Sequence, residues 1–263
     1  MGFREKYGPW GVVLGASEGL GEAYARGLAD RGLNVVVAAR RREPLQHVAH
    51  DITAQYGVET RAASLDLASG NFLDALRTVT DDLDVGLVVY NGAAGYVGPF
   101  LGGAEAMRSI VAVNCLGPLL VCEHFGRHLL DRGRGGIVIM GSAAGLAGSA
   151  YNSAYAASKA FDLVLGESLW GEWRDQGVDV LAVIGPAIDT PTFRKSIPPD
   201  ALAHMPTPMA PAVVVQEVLD ALGGDPSFVP GESIRELLGA LGSLPRRQQV
   251  EALSAAQAAF AKG

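Results

Sequence analysis

The sequence predicts an α/β fold, a single doubly wound parallel sheet of about seven strands with helices on both faces. Short runs rich in β-branched residues alternate along the chain with longer stretches of helical spacing, and this alternation is typical of strand–helix–strand units. The chain has 263 residues, of which 49% are hydrophobic. It is therefore long enough to bury a sizeable core.

The predicted elements follow one another without an internal repeat or a linker. Strands are expected at 11–14, 34–38, 60–64, 85–90, 136–140 and 178–184, with a weak one at 227–229. Helices are expected at 21–31, 42–56, 71–82, 104–132 and 151–176. We therefore expect one domain over residues 1–263, in which the proline-rich segment 186–211 is a long loop of the kind that serves as an active-site lid.

Charge and composition exclude several classes of function. A formal net charge of −7 argues against a nucleic-acid partner, because phosphate contacts need a basic face. The first residues lack the apolar core of a secretion signal, and no run reaches the roughly 18 apolar residues of a membrane span. We expect a cytoplasmic protein with reduced Cys115 and Cys122. No recognisable ligand set accompanies His124 and His128, so no metal site is expected.

The segment 12–32, VVLGASEGLGEAYARGLADRG, leads from the first strand through three glycines into the first helix. Gly15 permits a tight turn, Gly19 leaves room for a close backbone approach, and Gly21 lets the helix pack on the strand. Free N–H groups at a helix start attract an anion such as a dinucleotide pyrophosphate. The spacing GxxxGxG differs from the commoner GxGxxG, and a purely structural turn is the alternative.

The end of the second strand indicates which dinucleotide binds. A site for NAD usually carries an acidic residue there, which binds the ribose 2′-hydroxyl, whereas this strand ends in Arg40 and Arg41. Either arginine could form charged hydrogen bonds with a 2′-phosphate. NADP(H) is therefore favoured over NAD(H), with a solvated charge run as the alternative. Glu18 is an unfavourable negative neighbour if it points toward that phosphate.

A candidate catalytic group lies in SAYAASKAF, where Tyr155 and Lys159 are four residues apart and so share one helical face. A phenol ionises near pH 10 unless a nearby cation stabilises the phenolate, as an adjacent ammonium would. Ser142 follows the strand GGIVIM. Both hydroxyl groups are plausible hydrogen-bond donors to a carbonyl oxygen that gains negative charge during reduction.

Taken together, these motifs resemble the short-chain dehydrogenases/reductases. The resemblance rests on GASEGLG at 15–21, LDL at 65–67, the Asn in YNGAAG at 90–95, VNCLG at 113–117, Ser142 and YAASK at 155–159. It covers about the first 190 residues. It implies a Rossmann-type fold, an NADP(H)-dependent oxidoreductase and a homodimer or homotetramer formed through the helices at 104–132 and 151–176.

The resemblance also assigns roles to single residues. Tyr155 would be the general acid/base and Ser142 would position the substrate oxygen. Lys159 would lower the pKa of Tyr155 and bind the nicotinamide ribose, and Asn114 would hold a water in a proton relay. The remaining expected cofactor-binding residues are Gly15, Ser17, Gly19, Leu20, Gly21, Arg40, Arg41, Asp66 at the adenine, Leu67, Asn91, Ile188 and Thr190 at the carboxamide.

The chain departs from the family pattern at two places, and some of the expected functional residues could instead have structural roles. Gly92 and Ala93 stand where the family commonly has Ala-Gly, and Gly185-Pro186 stands where it commonly has Pro-Gly. Asp66, Asn114 and Thr190 could each have only a structural role, as a cap, a mid-helix hydrogen bond or a turn. A nonenzymatic NADP(H)-binding regulator would be expected to lack Tyr155, Lys159 or Ser142, and a scaffold would leave the glycines and arginines unexplained.

The N-terminal segment, the second strand and the segment 186–211 indicate a substrate class. The N-terminal segment and the second strand resemble bacterial NADP-dependent hydroxysteroid dehydrogenases more than acyl-thioester reductases. The segment 186–211 supplies apolar side chains that could close over a bulky substrate, namely Ile188, Phe193, Ile197, Leu202, Met205 and Met209. Arg194 and Lys195 could meet a carboxylate at the pocket mouth. A secondary alcohol or ketone such as a hydroxysteroid is expected, with a 3-oxoacyl-thioester or general carbonyl substrate as the alternative.

Overall fold

The computed structural model describes residues 1–197 and 207–258. Their strands form one seven-stranded sheet in the order β3-β2-β1-β4-β5-β6-β7, and every neighbouring pair is parallel. The strands are β1 (Trp10–Leu14), β2 (Asn34–Ala39), β3 (Thr60–Ser64), β4 (Val85–Tyr90), β5 (Gly135–Met140), β6 (Val178–Val183) and β7 (Ser227–Phe228). The predicted doubly wound parallel sheet is confirmed.

Helices connect the strands and cover both faces of the sheet. They are α1 (Phe3–Tyr7), α2 (Gly19–Asp30), α3 (Arg42–Tyr56), α4 (Phe72–Thr80), α5 (Ala104–Ile110), α6 (Gly117–Arg132), α7 (Ser153–Trp173), α8 (Pro191–Ser196), α9 (Pro211–Ala221), α10 (Glu232–Gly242) and α11 (Arg246–Ala258). The last two follow the sheet, and they were not predicted from the sequence, nor were α1, α8 and α9.

Successive residues of the central strands point into two separate cores. On one face, Val13 packs with side chains of α2, α3 and α9. On the other face, Val12 packs with side chains of α4, α6 and α7. Alternate strand residues face opposite sides, so a strand covered on both faces is apolar throughout. All five residues of β1 are accordingly buried.

The direction of winding reverses between β1 and β4, which lie side by side in the sheet. Leu14 pairs with Tyr90 at their carboxyl ends, and the amide of Asn91 donates to the carbonyl of Leu14 at 3.1 Å. Loops that follow such neighbouring strands diverge to opposite faces and leave a crevice in which ligands of α/β proteins bind. The glycine loop after β1 opens at this point.

The predicted continuous helix over residues 104–132 is wrong in one respect. A π-helical turn, Val111–Leu116, separates α5 from α6, so Cys115 lies in that turn while Cys122 lies in α6. The stretch Ala104–Arg132 nevertheless contains an 18-residue window with a mean hydropathy of 1.4, so by length and composition alone it could cross a membrane. Its buried residues, such as Phe125 and Leu129, pack against the sheet.

The described parts of the segment 186–211, residues 186–197 and 207–211, contain regular structure that its prolines did not suggest. Ile188 and Met209 form a parallel bridge, and α8 occupies part of the segment. Both bridge residues are partly buried and pack against the core, and the expected role of the segment as a lid stays a prediction. Leu202 and Met205 lie outside the described residues.

Candidate active site

The glycine loop has the backbone geometry that its sequence predicts. Gly15 has φ +83° and Gly19 has φ +61°, a region that residues with a Cβ rarely adopt. A Cβ on Gly21 would lie 2.0 Å from the carbonyl oxygen of Gly15, and one on Gly19 would lie 3.0 Å from the Thr190 side chain. Gly19 thus makes room for the Thr190 side chain, and its expected close approach to a ligand stays a prediction.

The loop fits an anionic ligand. Helix α2 starts at Gly19, and its N-cap residue Glu18 makes no side-chain hydrogen bond to the first turn. The free N–H groups of a helix start carry partial positive charge. Ser17 lies beside them, while the Leu20 side chain is buried in the core, so Leu20 can offer only backbone atoms. These residues would hold the diphosphate of a dinucleotide.

Glu18 and Arg41 are paired at the mouth of this loop. Their Oε2 and Nη2 atoms are 2.7 Å apart, and Arg41 also donates to the Ser17 hydroxyl at 3.2 Å. Thr192 of α8 donates to Glu18 at 2.7 Å. The hydrogen bond from Arg41 is the main cause that lowers the pKa of Glu18, so Glu18 is a carboxylate at neutral pH. Within the described chain, the Arg40 side chain has no ion-pair partner.

Asn91 and Gly92 join the glycine loop to the end of β4. The Asn91 side-chain amide donates to the Gly15 carbonyl at 3.2 Å. A Cβ on Gly92 would lie 2.3 Å from the terminal methyl group Cδ1 of Leu67, so a larger residue here would require the Leu67 side chain to move. Leu67 is buried, whereas the exposed Asp66 accepts a hydrogen bond from the amide of Ala68 at 3.0 Å. Asp66 therefore has a local capping contact in addition to any role at an adenine.

Ser142, Tyr155 and Lys159 lie around the carboxyl end of β5. Ser142 caps a short 3₁₀ turn and accepts a hydrogen bond from the amide of Ala144 at 3.2 Å. Tyr155 lies in the first turn of α7, and the Nζ atom of Lys159 is 5.8 Å from the centroid of its ring. The fold thus places a phenol and an ammonium on one face of α7, as their spacing predicts.

The π-helical turn places Asn114 beside this group. Its side chain accepts from the amide of Ala94 at 2.8 Å and donates to the Ala94 carbonyl at 2.9 Å. It also donates to the hydroxyl of Ser158, the residue before Lys159, at 2.9 Å. The side chain of Asn114 therefore links the loop after β4 to α7. This position suits a structural role, and its predicted part in a proton relay remains a proposal.

Asp162 is the residue of this region that sequence reasoning missed. Its Oδ2 atom lies 2.8 Å from the Lys159 Nζ atom, and both side chains are almost completely buried. Burial raises the pKa of Asp162, while the charge of Lys159 opposes the rise. The i, i+3 spacing in SKAFD was the available signal. An acidic residue in an otherwise apolar part of a helix could have drawn attention to it.

The segment after β6 lies against the turn that follows β5. Ala143 donates its amide hydrogen to the Gly185 carbonyl at 3.0 Å, so the unusual Gly185-Pro186 pair is tied to the Ser142 turn. Thr190 caps α8 by accepting a hydrogen bond from the amide of Phe193 at 3.1 Å. Thr190 thus caps a helix and also lies over Gly19.

Two other pairs of side chains were singled out in the sequence. Arg194 donates to Asp189 at 2.6 Å in an exposed ion pair, and Lys195 next to it is also exposed, so contact of these cations with a substrate carboxylate stays a prediction. His124 and His128 lie near Asp81 and Asp84 at 3.8 Å and 3.2 Å. Among residues 1–197 and 207–258, no group of three candidate ligands for a metal occurs.

Comparison with known proteins agrees with this geometry. The model of the short chain dehydrogenase family matches residues 10–200. A 7beta-hydroxysteroid dehydrogenase of Collinsella aerofaciens is 32% identical over 235 residues, which are 88% of this chain and 89% of that protein. A very-long-chain 3-oxoacyl-CoA reductase of Aspergillus clavatus is 34% identical over 226 residues, which are 84% of this chain and 65% of that protein.

Solved structures give the same picture. A structure described in work on 7beta-hydroxysteroid dehydrogenase stereoselectivity superposes with a TM-score of 0.91 at 29% identity, over 96% of this chain and 99% of that one. A short-chain dehydrogenase from Sphingobium yanoikuyae in complex with NADPH has a TM-score of 0.76 at 26% identity, over 90% and 96% of the two chains. This chain belongs to the short-chain dehydrogenase family of oxidoreductases, enzymes that use a nicotinamide cofactor to interconvert alcohol and carbonyl groups.

Proposed function

We propose that this enzyme uses NADP(H) to interconvert a secondary alcohol and a ketone on a bulky apolar substrate such as a hydroxysteroid. The observation that carries the proposal is the convergence of Tyr155, Lys159 and Ser142 at the carboxyl end of β5 within a fold whose glycine loop opens at the same edge. The similarity to 7beta-hydroxysteroid dehydrogenases over almost the whole chain supports the substrate class.

In the proposed mechanism the protein provides the proton and the orientation of the substrate. Ser142 donates a hydrogen bond to the substrate oxygen, and Tyr155 gives it a proton in reduction or takes one in oxidation. The Lys159 ammonium lowers the energy of the Tyr155 phenolate. The glycine loop with Lys159 and Thr190 would hold the nicotinamide cofactor, which would supply the hydride-transfer chemistry for the substrate carbon. Asn114 would hold the water through which Tyr155 and Lys159 exchange a proton with solvent.

NADP(H) preference is proposed from the charges at the end of β2. Arg40 and Arg41 follow β2, where a ribose 2′-phosphate would be expected, and Arg41 lies beside Ser17 and Glu18 of the glycine loop. A structural relative described with NADPH supports the same preference. Glu18 weakens it, because Arg41 is engaged with that carboxylate in the structure.

A 3-oxoacyl-thioester reductase is the second candidate function, which the 34% identity to a very-long-chain 3-oxoacyl-CoA reductase favours. Steady-state turnover with NADPH and NADP⁺ on hydroxysteroids and their ketones, acyl thioesters, simple aldehydes and sugars separates the candidates. We expect the highest kcat/KM for a hydroxysteroid pair. A more than tenfold preference for a small polar substrate would overturn the substrate class, and a preference for acyl thioesters would favour the second candidate.

Self-association is part of the proposal. Several apolar side chains of the 104–132 region and of α7 are exposed in the single chain, namely Val111, Leu116, Leu119 and Val164. Contiguous exposed apolar side chains commonly mark a protein interface. We propose a cytoplasmic homodimer or homotetramer formed through these helices.

A further inference from the structure

We propose that Asp162 is a positioning residue of the active site. It keeps the buried Lys159 side chain protonated and holds its Nζ atom in a fixed orientation. This inference rests on the proposed function, because it concerns the lysine that supports Tyr155. Lys159 is 3% exposed and Asp162 is 1% exposed. An ammonium that is removed from water loses its proton readily unless an anion compensates for the lost hydration.

The geometry shows how the carboxylate fixes the lysine. The Nζ atom of Lys159 donates to Asp162 Oδ2 and to the Met140 carbonyl, each at 2.8 Å. An ammonium has three N–H donors, so these two bonds leave one donor with a defined direction. Met140 ends β5, two residues before Ser142. Asp162 thereby helps to orient Lys159 relative to the strand that carries Ser142.

A second observation sets Asp162 apart from an ordinary ion pair. Its Oδ1 atom is buried and has no hydrogen-bond partner within the described chain. Such an atom is costly, and a leucine at this core position of α7 would avoid the cost. The unfavourable placement is accounted for if the negative charge is needed to hold Lys159.

Between pH 7 and 9, neighbouring titratable groups should contribute nearly equally to wild type and variant, because burial is the largest cause of their shifts, so they largely cancel in the Tm deficit. Tyr90 of β4, Cys115 of the π-helical turn and Cys122 of α6 are within the electrostatic reach of Asp162. Burial raises the pKa of all three, that of Cys122 to about 12. Tyr155 is the remaining neighbour, and its role is separable by substitution to phenylalanine.

The first measurement is thermal unfolding of the unliganded enzyme from pH 7 to 9. In Asp162→Asn the buried Lys159 ammonium loses its anion, so the folded state should bind fewer protons than the unfolded state in this interval and stability should rise with pH. The deficit in Tm relative to wild type should therefore shrink, by about 2–4 °C per pH unit for a chain of this size. Asp162→Leu provides the same test if the asparagine variant does not fold.

Three variants make this measurement specific. Asp162→Glu keeps a carboxylate and should retain the wild-type pH dependence. In Asp162→Asn combined with Lys159→Arg, the guanidinium stays charged, so the pH-dependent change in the Tm deficit should disappear. Asp179→Asn is the matched control, because Asp179 also pairs with a lysine, Lys6, at 2.5 Å, on α1 away from α7. Its Tm deficit should stay constant over this interval.

The second measurement is the pH dependence of kcat/KM for alcohol oxidation. Asp162→Asn should introduce an alkaline decline, where Lys159 loses its proton, and Asp162→Glu should not. A Tm deficit independent of pH together with an unchanged pH profile would overturn the positioning role. The Tm measurement needs no substrate, so it tests the role of Asp162 separately from the reaction. If the Tm deficit does not depend on pH while Tyr155→Phe still abolishes turnover, the inference about Asp162 is wrong and the proposed function stands.

Discussion

The guanidinium of Arg41 lies 2.7 Å from the carboxylate of Glu18 and joins the end of β2 to the glycine loop. Arg41 is therefore engaged in an ion pair at the place where a 2′-phosphate is expected. Both side chains are partly exposed, so the pair is weak and can be exchanged for a phosphate. The first two predictions concern this exchange.

Replacing Glu18 with glutamine should strengthen NADPH binding by about three- to tenfold, because Arg41 is released and a negative charge is removed. NADH has no 2′-phosphate, so its affinity should change much less. Fluorescence titration of both cofactors measures the two dissociation constants. Glu43→Gln, which removes an acidic side chain from the start of α3, is the control and should leave both nearly unchanged. Equal gains for NADH and NADPH would contradict the assignment.

Loss of both arginines should remove the preference for NADPH. Each charged hydrogen bond to a phosphate contributes about 1.5–3 kcal/mol, which is about a tenfold or greater change in affinity. In the Arg40→Ala, Arg41→Ala double variant, the measured affinities for NADPH and NADH should converge. If the wild-type enzyme prefers NADH, the interpretation of the two arginines is wrong.

Tyr155→Phe removes the proposed acid/base hydroxyl and keeps the aromatic ring. Turnover should fall at least about a hundredfold, the lower range for general acid–base catalysis, while NADPH affinity stays nearly intact. Initial rates and cofactor titration on the same preparation separate the two effects. The assignment fails if substantial turnover persists.

Gly21→Ala should destabilise the fold, because the added Cβ would lie 2.0 Å from the Gly15 carbonyl oxygen and 2.8 Å from the Asn91 amide nitrogen. Overpacking of this kind costs about 1–3 kcal/mol. Gly171→Ala in α7 is the matched control, because no atom lies within 4 Å of its added Cβ. It should be neutral or stabilising by up to about 1 kcal/mol. Denaturant unfolding measures both, and equal stability of the two variants would be inconsistent with the packing described.

Val164→Lys should shift the enzyme toward the monomer, since Val164 is 60% exposed on α7 and a buried charge without a partner is unfavourable in an interface. Light scattering coupled to size-exclusion chromatography measures the molar mass. Val213→Lys places the same charge on α9, where Val213 is 49% exposed, and should leave the mass unchanged. An unchanged mass for Val164→Lys would exclude this helix from the interface.

The fold follows closely from local sequence patterns. The predicted bounds of β3, β4 and α3 match the structure, because an apolar run between turns or an amphipathic period is a property of neighbouring residues. The roles of Gly15 and Gly21 could also be predicted from the sequence, because few residues other than glycine fit a tight turn or a helix packed closely on a strand. The sequence alone thus determined the sheet, the glycine loop and the pairing of Tyr155 with Lys159 on one helical face.

Tertiary structure decided the features that depend on contacts between distant segments. The side chain of Asn114 finds its partners at Ala94 and Ser158, within a π-helical turn that helical periodicity does not reveal. Thr190 lies over Gly19 and Arg41 pairs with Glu18 only because separate loops meet at one edge of the sheet. Asp162 is acidic in any reading of the sequence, but its burial against Lys159 arises from packing between α7 and the sheet, which local spacing does not specify.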